Sequence, residues 1–321
     1  MKDAWGRTIE YVRLSLTDAC NFCCPYCRPA EITPQSQTQL LSVDEWMKIL
    51  GAFHHIGVKA VRLTGGEPLL YPHIEELLSR IKESGWFEDI SMTTNGSLLA
   101  SRAQRLKKFG LNRVNISLDS LETEAFATCV GKTGQLESVL DGIRSAINAN
   151  FKSVKINTVL SRYWSDDEVK SLLQYVEKWP VVWRFIEYMP FQGDAFHGPT
   201  FDEWKEQLER VSGGSLTEVH SVYGFGPATY LALPSGKAVG FIFSMSHSYC
   251  DTCNRVRLTS DGQMRLCLLR DDEADLVSLV RNGASEEALA KHIERALQRK
   301  QERHDGIGME QPERPMWRIG G

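Results

Sequence analysis

No apolar run in this 321-residue chain approaches the roughly 20 residues that cross a bilayer, so no membrane-spanning helix is expected. The opening stretch, MKDAWGRTIEYVRLS, lacks the apolar centre of a secretory signal. Positive charge is not in excess: 37 Lys and Arg against 41 Asp and Glu leave a net charge of −4. Neither nucleic acid nor an anionic membrane surface is therefore an expected partner, and a polyanionic substrate would need a local cluster of arginines. Internal repeats and low-complexity tracts are absent as well. Cysteines are few, eight in all, yet four of them fall within residues 20–27, CNFCCPYC. Disulfide-dense scaffolds are usually much smaller and secreted, so the expected setting is a reducing cytoplasm, where clustered cysteines hold metal or perform chemistry.

What is present alternates. From residue 10 to 190, short β-branched or apolar runs (EYVRLSLT, KAVRLTGG, DISMTTNG, NRVNISLDS, SVKINTVL, VVWRFIEYM) are separated by segments of helical periodicity such as VDEWMKILGAFHHIG and HIEELLSRIKESG. Strands spaced by helices indicate βα units and a parallel sheet. Six units fall short of the eight that close a full barrel, which predicts an α/β fold with a curved, open (β/α)6 sheet. In such folds ligands gather at the carboxyl ends of the strands. There the chain places the cysteine cluster, then TGGEP, TTNG and SLDS. Beyond about residue 200 the pattern changes to an amphipathic helix, FDEWKEQLERV, short strand-like runs and a charged final helix near 285–303. Two domains are expected, 1–200 and an α+β extension over 201–321.

A second group, Cys250, Cys253 and Cys267, lies in YCDTCNRVRLTSDGQMRLC, while Cys129 stands alone in a predicted helix and reads as a small buried hydrophobe. Zinc competes for both groups, but a closed zinc site wants four N or S ligands. The second group offers three thiolates with His247 as a possible fourth. Adjacent Cys23 and Cys24 usually point apart, so all four early cysteines are not expected to share one metal. The alternative is a [4Fe–4S] cluster with three protein ligands and one open iron, and Cys20-x3-Cys24-x2-Cys27 supplies that arrangement. Arg255 and Arg257 share a strand face, as do Arg62 and Thr64, and two guanidiniums on one face suit a triphosphate. Arg184 sits in an otherwise apolar strand, where an anion or a carboxylate such as Glu187 is expected to balance it.

LSLTDACNFCCPYCRP resembles the cluster loop of radical S-adenosylmethionine enzymes, and TGGEPLL their glycine-rich segment. Within that superfamily the chain resembles the GTP 3′,8-cyclases of molybdenum cofactor biosynthesis through GRTIEYVRLSLTDACN, TTNGSLL, VNISLDSL, RFIEYMPF, FGPATY, CNRVRLTSDGQMRLCL and the terminal IGG. The resemblance implies a partial TIM-like barrel and two [4Fe–4S] clusters, one on Cys20, Cys24 and Cys27, the other on Cys250, Cys253 and Cys267. S-adenosylmethionine would bind the first, against Tyr26, Gly65, Gly66, Glu67, Ser117 and Met189. GTP would meet Arg13, Arg62, Thr93, Lys155, Arg184, Arg255, Val256 and Arg257. Arg13, Arg255, Arg257 and the Gly320-Gly321 tail are the implied catalytic residues. The chemistry implied is radical cyclisation: a 5′-deoxyadenosyl radical takes the ribose 3′ hydrogen, and C3′ then attacks guanine C8. An electron donor such as flavodoxin or ferredoxin, handover to cyclic pyranopterin monophosphate synthase, and a monomer or homodimer are implied with it.

The chain departs from the family pattern at four places. Cys23 stands where relatives commonly carry arginine, Arg28 where they carry methionine, Ala60 where they carry lysine, and Tyr71 where arginine is common. Two other readings follow from the same residues: a paralogous two-cluster radical enzyme acting on another nucleotide or on a peptide, and a non-enzymatic zinc- or nucleotide-binding protein.

Overall fold

Period-two alternation decides the architecture. In the computed structural model, which describes residues 1–28, 40–190, 198–219, 224–304 and 314–320, six strands follow the βα rhythm. They are β1 (Tyr11–Ser15), β2 (Ala60–Thr64), β3 (Asp89–Thr94), β4 (Arg113–Ser117), β5 (Ser153–Val159) and β6 (Val182–Ile186), and each pairs in parallel with the next. One parity on every strand is apolar and buried: Val12 and Leu14, Val61 and Leu63, Ile90 and Met92, Val114 and Ile116, Val154 and Ile156, Trp183 and Phe185. These side chains join one large hydrophobic core with the covering helices. Burying a side chain of this size contributes about 1.5–3 kcal/mol. The other parity is polar and faces inward: Arg13, Arg62, Ser91, Asn115, Lys155, Asn157 and Arg184 are all on it.

The covering helices are α1 (Val43–His55), α2 (Ile74–Ser84), α3 (Ala103–Lys108), α4 (Thr123–Val130), α5 (Leu136–Asn148) and α6 (Asp166–Lys178), followed by α7 (Phe201–Ser212). Three of them start at the same local device. Ser42, Ser165 and Thr200 each accept from the backbone N–H three residues on, and Glu45, Glu168 and Glu203 reach back to the cap. Such capping boxes satisfy two otherwise orphaned donors, and loss of the cap costs about 1 kcal/mol. Cys129 is buried on α4, as the sequence suggested.

The last third of the chain does not form a separate layer. Its strands are β7 (Thr217–Glu218), β8 (Thr229–Ala232), β9 (Ala238–Ile242), β10 (Arg255–Leu258), β11 (Gln263–Arg265) and β12 (Glu273–Asp275), with α8 (Val277–Arg281) and α9 (Glu286–Leu297) closing the chain's helical count among the described residues. β9 adds in parallel to β6 and β10 adds in parallel to β1, so both edges of the six-stranded sheet are extended by the same segment. The described strands run β12-β11-β10-β1-β2-β3-β4-β5-β6-β9-β8-β7 in one open sheet. The expected open α/β sheet is thus present, and its parallel part spans eight strands. No helix among the described residues is long and apolar enough to cross a membrane.

Candidate active site

Strand register builds the centre of the site. Arg13 on β1 is directly opposite Arg257 on β10 and Arg62 on β2. Three like charges at opposed positions repel, which destabilises a sheet unless something offsets them. Arg255 stands across from Tyr11 in the same ladder, with its guanidinium 4.8 Å from the Tyr249 ring centroid. Burial and the neighbouring Arg257, Arg62 and Arg255 push Arg13 well below its ordinary pKa, and burial with Arg255 lowers Arg257 to about 10. Burial and like charge thus act together against Arg13 and Arg257, which stay protonated as arginines do in proteins. Among the described residues no carboxylate lies within ion-pair distance of Arg62, Arg255 or Arg257.

Arg184, on β6, is fully buried, but its balance differs from the expected one. Glu187 is not its partner: that carboxylate accepts from the backbone N–H groups of Met245 and Ser246. Arg184 instead donates to Asn157 Oδ1 at 2.6 and 2.9 Å and to Asn115 Oδ1 at 2.8 Å. These amides orient the guanidinium without neutralising it. Lys155 lies behind, 3.5 Å from the Tyr230 hydroxyl, and burial together with Arg184, Arg113 and Arg62 lowers it to about 6.

The cysteine loop after β1 overhangs this basic face. Cys20, Cys24 and Cys27 line one cavity with Arg13, Arg62, Thr93, Arg184, Arg255 and Arg257, and with Tyr26, Gly65, Gly66, Ser117 and Met189. Burial raises all three thiols, Cys27 to about 12. Gly65 and Gly66 are required by the protein itself: a Cβ on either would collide with the carbonyl of Thr17 or Ala19 in the loop. Gly66 and Glu67 donate their N–H groups to those same carbonyls at 2.6 and 2.7 Å. Glu67 does not line the cavity. Burial lifts it to about 7, while Leu69 and Asn95 backbone N–H groups and the Thr94 hydroxyl donate to it, tying the TGGEP and TTNG turns together. Cys23 lies outside the cavity, its N–H donating to Val130 at the end of α4.

A second cavity holds Cys250, Cys253 and Cys267 and shares Met189, Tyr249, Arg255, Arg257 and Leu268 with the first. Cys27 and Cys267 pack against one small apolar cluster that includes Leu269 and Met316. This triad is electrically unlike the first. Burial raises Cys250, but bonds from His304 and Ser248 outweigh it and bring the thiol to about 6. Cys253 ends below its ordinary value because Lys300 and Arg255 outweigh its burial. His247, the suggested fourth zinc ligand, stacks on Phe201 with ring centroids 5.2 Å apart. Among the described residues no group of three or more His, Cys, Asp or Glu side chains is placed to hold a single metal ion. Two soft sets of three thiols, one in each cavity, fit [4Fe–4S] groups with three protein ligands each, and the His304 ring, hydrogen-bonded to Cys250, also lines the second cavity.

The tail returns to the same place. Gly320 presents its carbonyl to Arg13 and Arg257, and Trp317 is buried beneath the Arg28 guanidinium, 5.7 Å from the ring centroid. Gly321 lies outside the described residues. Val256 is on the opposite parity from its neighbours, with its side chain in the main core. Arg28 donates to the Cys20 carbonyl. Tyr71 is buried with its hydroxyl donating to Leu41, away from the cavity.

Several side chains escaped the sequence reading. Asp119 accepts from the Tyr26 hydroxyl at 2.6 Å and the Val159 N–H at 2.8 Å, and burial raises it to about 6. Its position in SLDS, at the end of a strand, was a usable signal. Asn115 and Asn157 share the parity of Lys155 and were readable as its neighbours. Lys300 and His304 carry no such signal, because only tertiary packing brings them to the second triad.

Residues 14–176 match the Radical SAM superfamily and residues 181–306 match Molybdenum Cofactor Synthesis C. A GTP 3′,8-cyclase from Desulforamulus reducens is 38% identical over 326 residues, covering 100% of both chains. Molybdenum cofactor biosynthesis protein 1 of Mus musculus is 37% identical across 100% of this chain and 51% of its own length. The fold is similar to Streptococcus suis SuiB bound to S-adenosylmethionine, with TM-score 0.63, 16% identity, and coverage of 89% of this chain and 68% of that one. The chain belongs to the GTP 3′,8-cyclase family of the radical S-adenosylmethionine superfamily.

Proposed function

We propose that this chain is a GTP 3′,8-cyclase, with Cys20, Cys24 and Cys27 holding one [4Fe–4S] cluster and Cys250, Cys253 and Cys267 the other. The observation that carries the GTP reading is the in-register ladder Arg257–Arg13–Arg62, a like-charge arrangement that a triphosphate offsets. The first cluster and S-adenosylmethionine supply one-electron chemistry at carbon when bound.

The chain's own residues bind and orient. Tyr26, fixed by Asp119, forms the wall beside the first triad, with Gly65, Gly66, Ser117 and Met189 completing the S-adenosylmethionine side. Arg13, Arg62, Thr93 and Arg257 take the phosphates, while Lys155 and Arg184 add positive potential from the layer behind. Arg255 and Arg257 line both cavities, so a nucleotide held on them is presented to the second triad with its ribose between the two. The apolar cluster around Met316 and Leu269 excludes water from that gap. The Gly320 carbonyl closes the phosphate end.

Residues 1–200 form the S-adenosylmethionine half and 201–321 the half carrying the second cluster. The setting is the cytoplasm, the reductant a flavodoxin or ferredoxin, and the product passes to cyclic pyranopterin monophosphate synthase; the chain acts as a monomer or homodimer. Replacing Cys267 with serine tests the division of labour. Reductive cleavage of S-adenosylmethionine should persist while GTP cyclisation is lost, and unchanged GTP turnover would refute the second-cluster assignment.

A further inference from the structure

Lys300 is an ammonium in the wrong place for a surface lysine. It is only 3% exposed and lies in the wall of the cavity around Cys250, Cys253 and Cys267. Its Nζ donates to the carbonyl of Leu266, the residue before Cys267. Among the described residues no carboxylate comes within ion-pair distance of it. A buried, unpaired cation costs several kcal/mol, and a lysine with a free path would extend its head to water.

The chain prevents that escape with a clamp at its N-terminus. The Trp5 indole N–H donates to the Lys300 carbonyl at 2.9 Å. Arg7 donates to the carbonyls of Gln301 at 2.7 Å and Glu302 at 2.6 Å, and the same guanidinium reaches the Cys250 carbonyl at 3.0 Å. Buried Asp3 holds Arg7 Nε at 2.6 Å. One arginine thereby fixes the spacing between a cysteine of the triad and the segment that carries Lys300.

We propose that Lys300 is a positioning residue whose buried charge is the counter-ion of the anionic [4Fe–4S] group on Cys250, Cys253 and Cys267, and that it makes that group easier to reduce. The inference rests on the assignment of this triad to a cluster. Three thiolates on a [4Fe–4S] core give a negative group that gains a further negative charge on one-electron reduction, so a nearby buried cation favours the reduced form. Arg255 and Arg257 also face the triad, but they line the substrate cavity too; Lys300 lines only the second cavity.

The test compares Lys300→Met, which keeps length and removes charge, with Lys300→Arg, which keeps charge. Both are reconstituted anaerobically as full chains and assayed for iron and for cluster potentials by EPR-monitored titration. Wild-type protein should hold about eight irons; about four would sink the underlying cluster assignment, separately from the role of Lys300. In the Met variant one of the two clusters should show a ratio of reduced to oxidised form at least tenfold lower at fixed potential, a shift of about 59 mV for one electron. The Arg variant should stay close to wild type. Selective loss of one cluster from the Met variant alone would also support the charge role. Equal behaviour of the two variants, whether both normal, both shifted or both unfolded, overturns it. Metal-free protein gives a second readout: with the unpaired charge removed, the Met variant should melt above wild type, and a lower melting temperature counts against the proposal.

Discussion

Arg13 and Arg257, on neighbouring strands, converge on a single oxygen: their Nη atoms donate to the Gly320 carbonyl at 3.0 and 2.8 Å. The two residues meet at opposed positions of β1 and β10, so the convergence is set by sheet register and needs no special loop. A carbonyl satisfies part of the hydrogen-bonding demand of this pair but supplies no charge.

Arg257→Ala should weaken GTP binding about ten- to a hundredfold, the equivalent of a charge-assisted hydrogen bond worth about 1.5–3 kcal/mol. Iron content should not change. Anaerobic calorimetry with GTP measures this, and wild-type affinity would remove Arg257 from the site.

Gly320 has φ of +70°, and a Cβ there would strike the Thr64 hydroxyl. Gly320→Ala is expected to displace the tail and lower cyclisation at least tenfold while leaving both clusters in place. Full turnover by this variant would show that the approach of the tail is dispensable.

Lys155 carries a pH signature. Its folded value of about 6 lies below its ordinary 10.5, so the unfolded chain binds the extra proton across that window. Stability should therefore rise with pH from about 6 to about 10.5, and Lys155→Met should flatten the slope in urea melts of metal-free protein. A triphosphate near Lys155 reverses the shift, so GTP binding near pH 8 should take up about one proton per site. Calorimetry in two buffers of different ionisation enthalpy reads that number; zero uptake places Lys155 away from the phosphates.

Cys23 is outside the cavity, and among the described residues its hydrogen bond is made by the backbone, at the end of α4. Cys23→Ala should keep wild-type iron and activity and should resist oxidative inactivation better, since a spare thiol near metal ligands invites a disulfide once iron is lost. Loss of iron in this variant would mean that the ligands are misassigned.

The parts legible in the sequence are those encoded locally. Alternation marked β1 to β6, and the same alternation put Arg255 and Arg257 on one strand face and Arg62 with Thr64 on another. The short strands after residue 224 were visible too. Their joining both edges of the first sheet was not, because pairing between β1 and β10 depends on contacts some 240 residues apart in the chain. Arg184 was rightly singled out as a buried charge, but the Glu187 alternative does not hold: Glu187 follows the strand and turns to the 245–246 backbone, while the two asparagines come from neighbouring strands. The glycines of TGGEP illustrate the reverse case. They read as room for a ligand, and the structure adds that the cysteine loop itself occupies the space a side chain would need.

The central claim is that the nucleotide is placed with its ribose between two thiol triads. Its most direct test is an anaerobic reaction of the reduced enzyme with S-adenosylmethionine and GTP deuterated at C3′, analysed by mass spectrometry. A cyclised GTP derivative together with deuterium-labelled 5′-deoxyadenosine is the predicted outcome. Unlabelled 5′-deoxyadenosine with GTP unconsumed would contradict it.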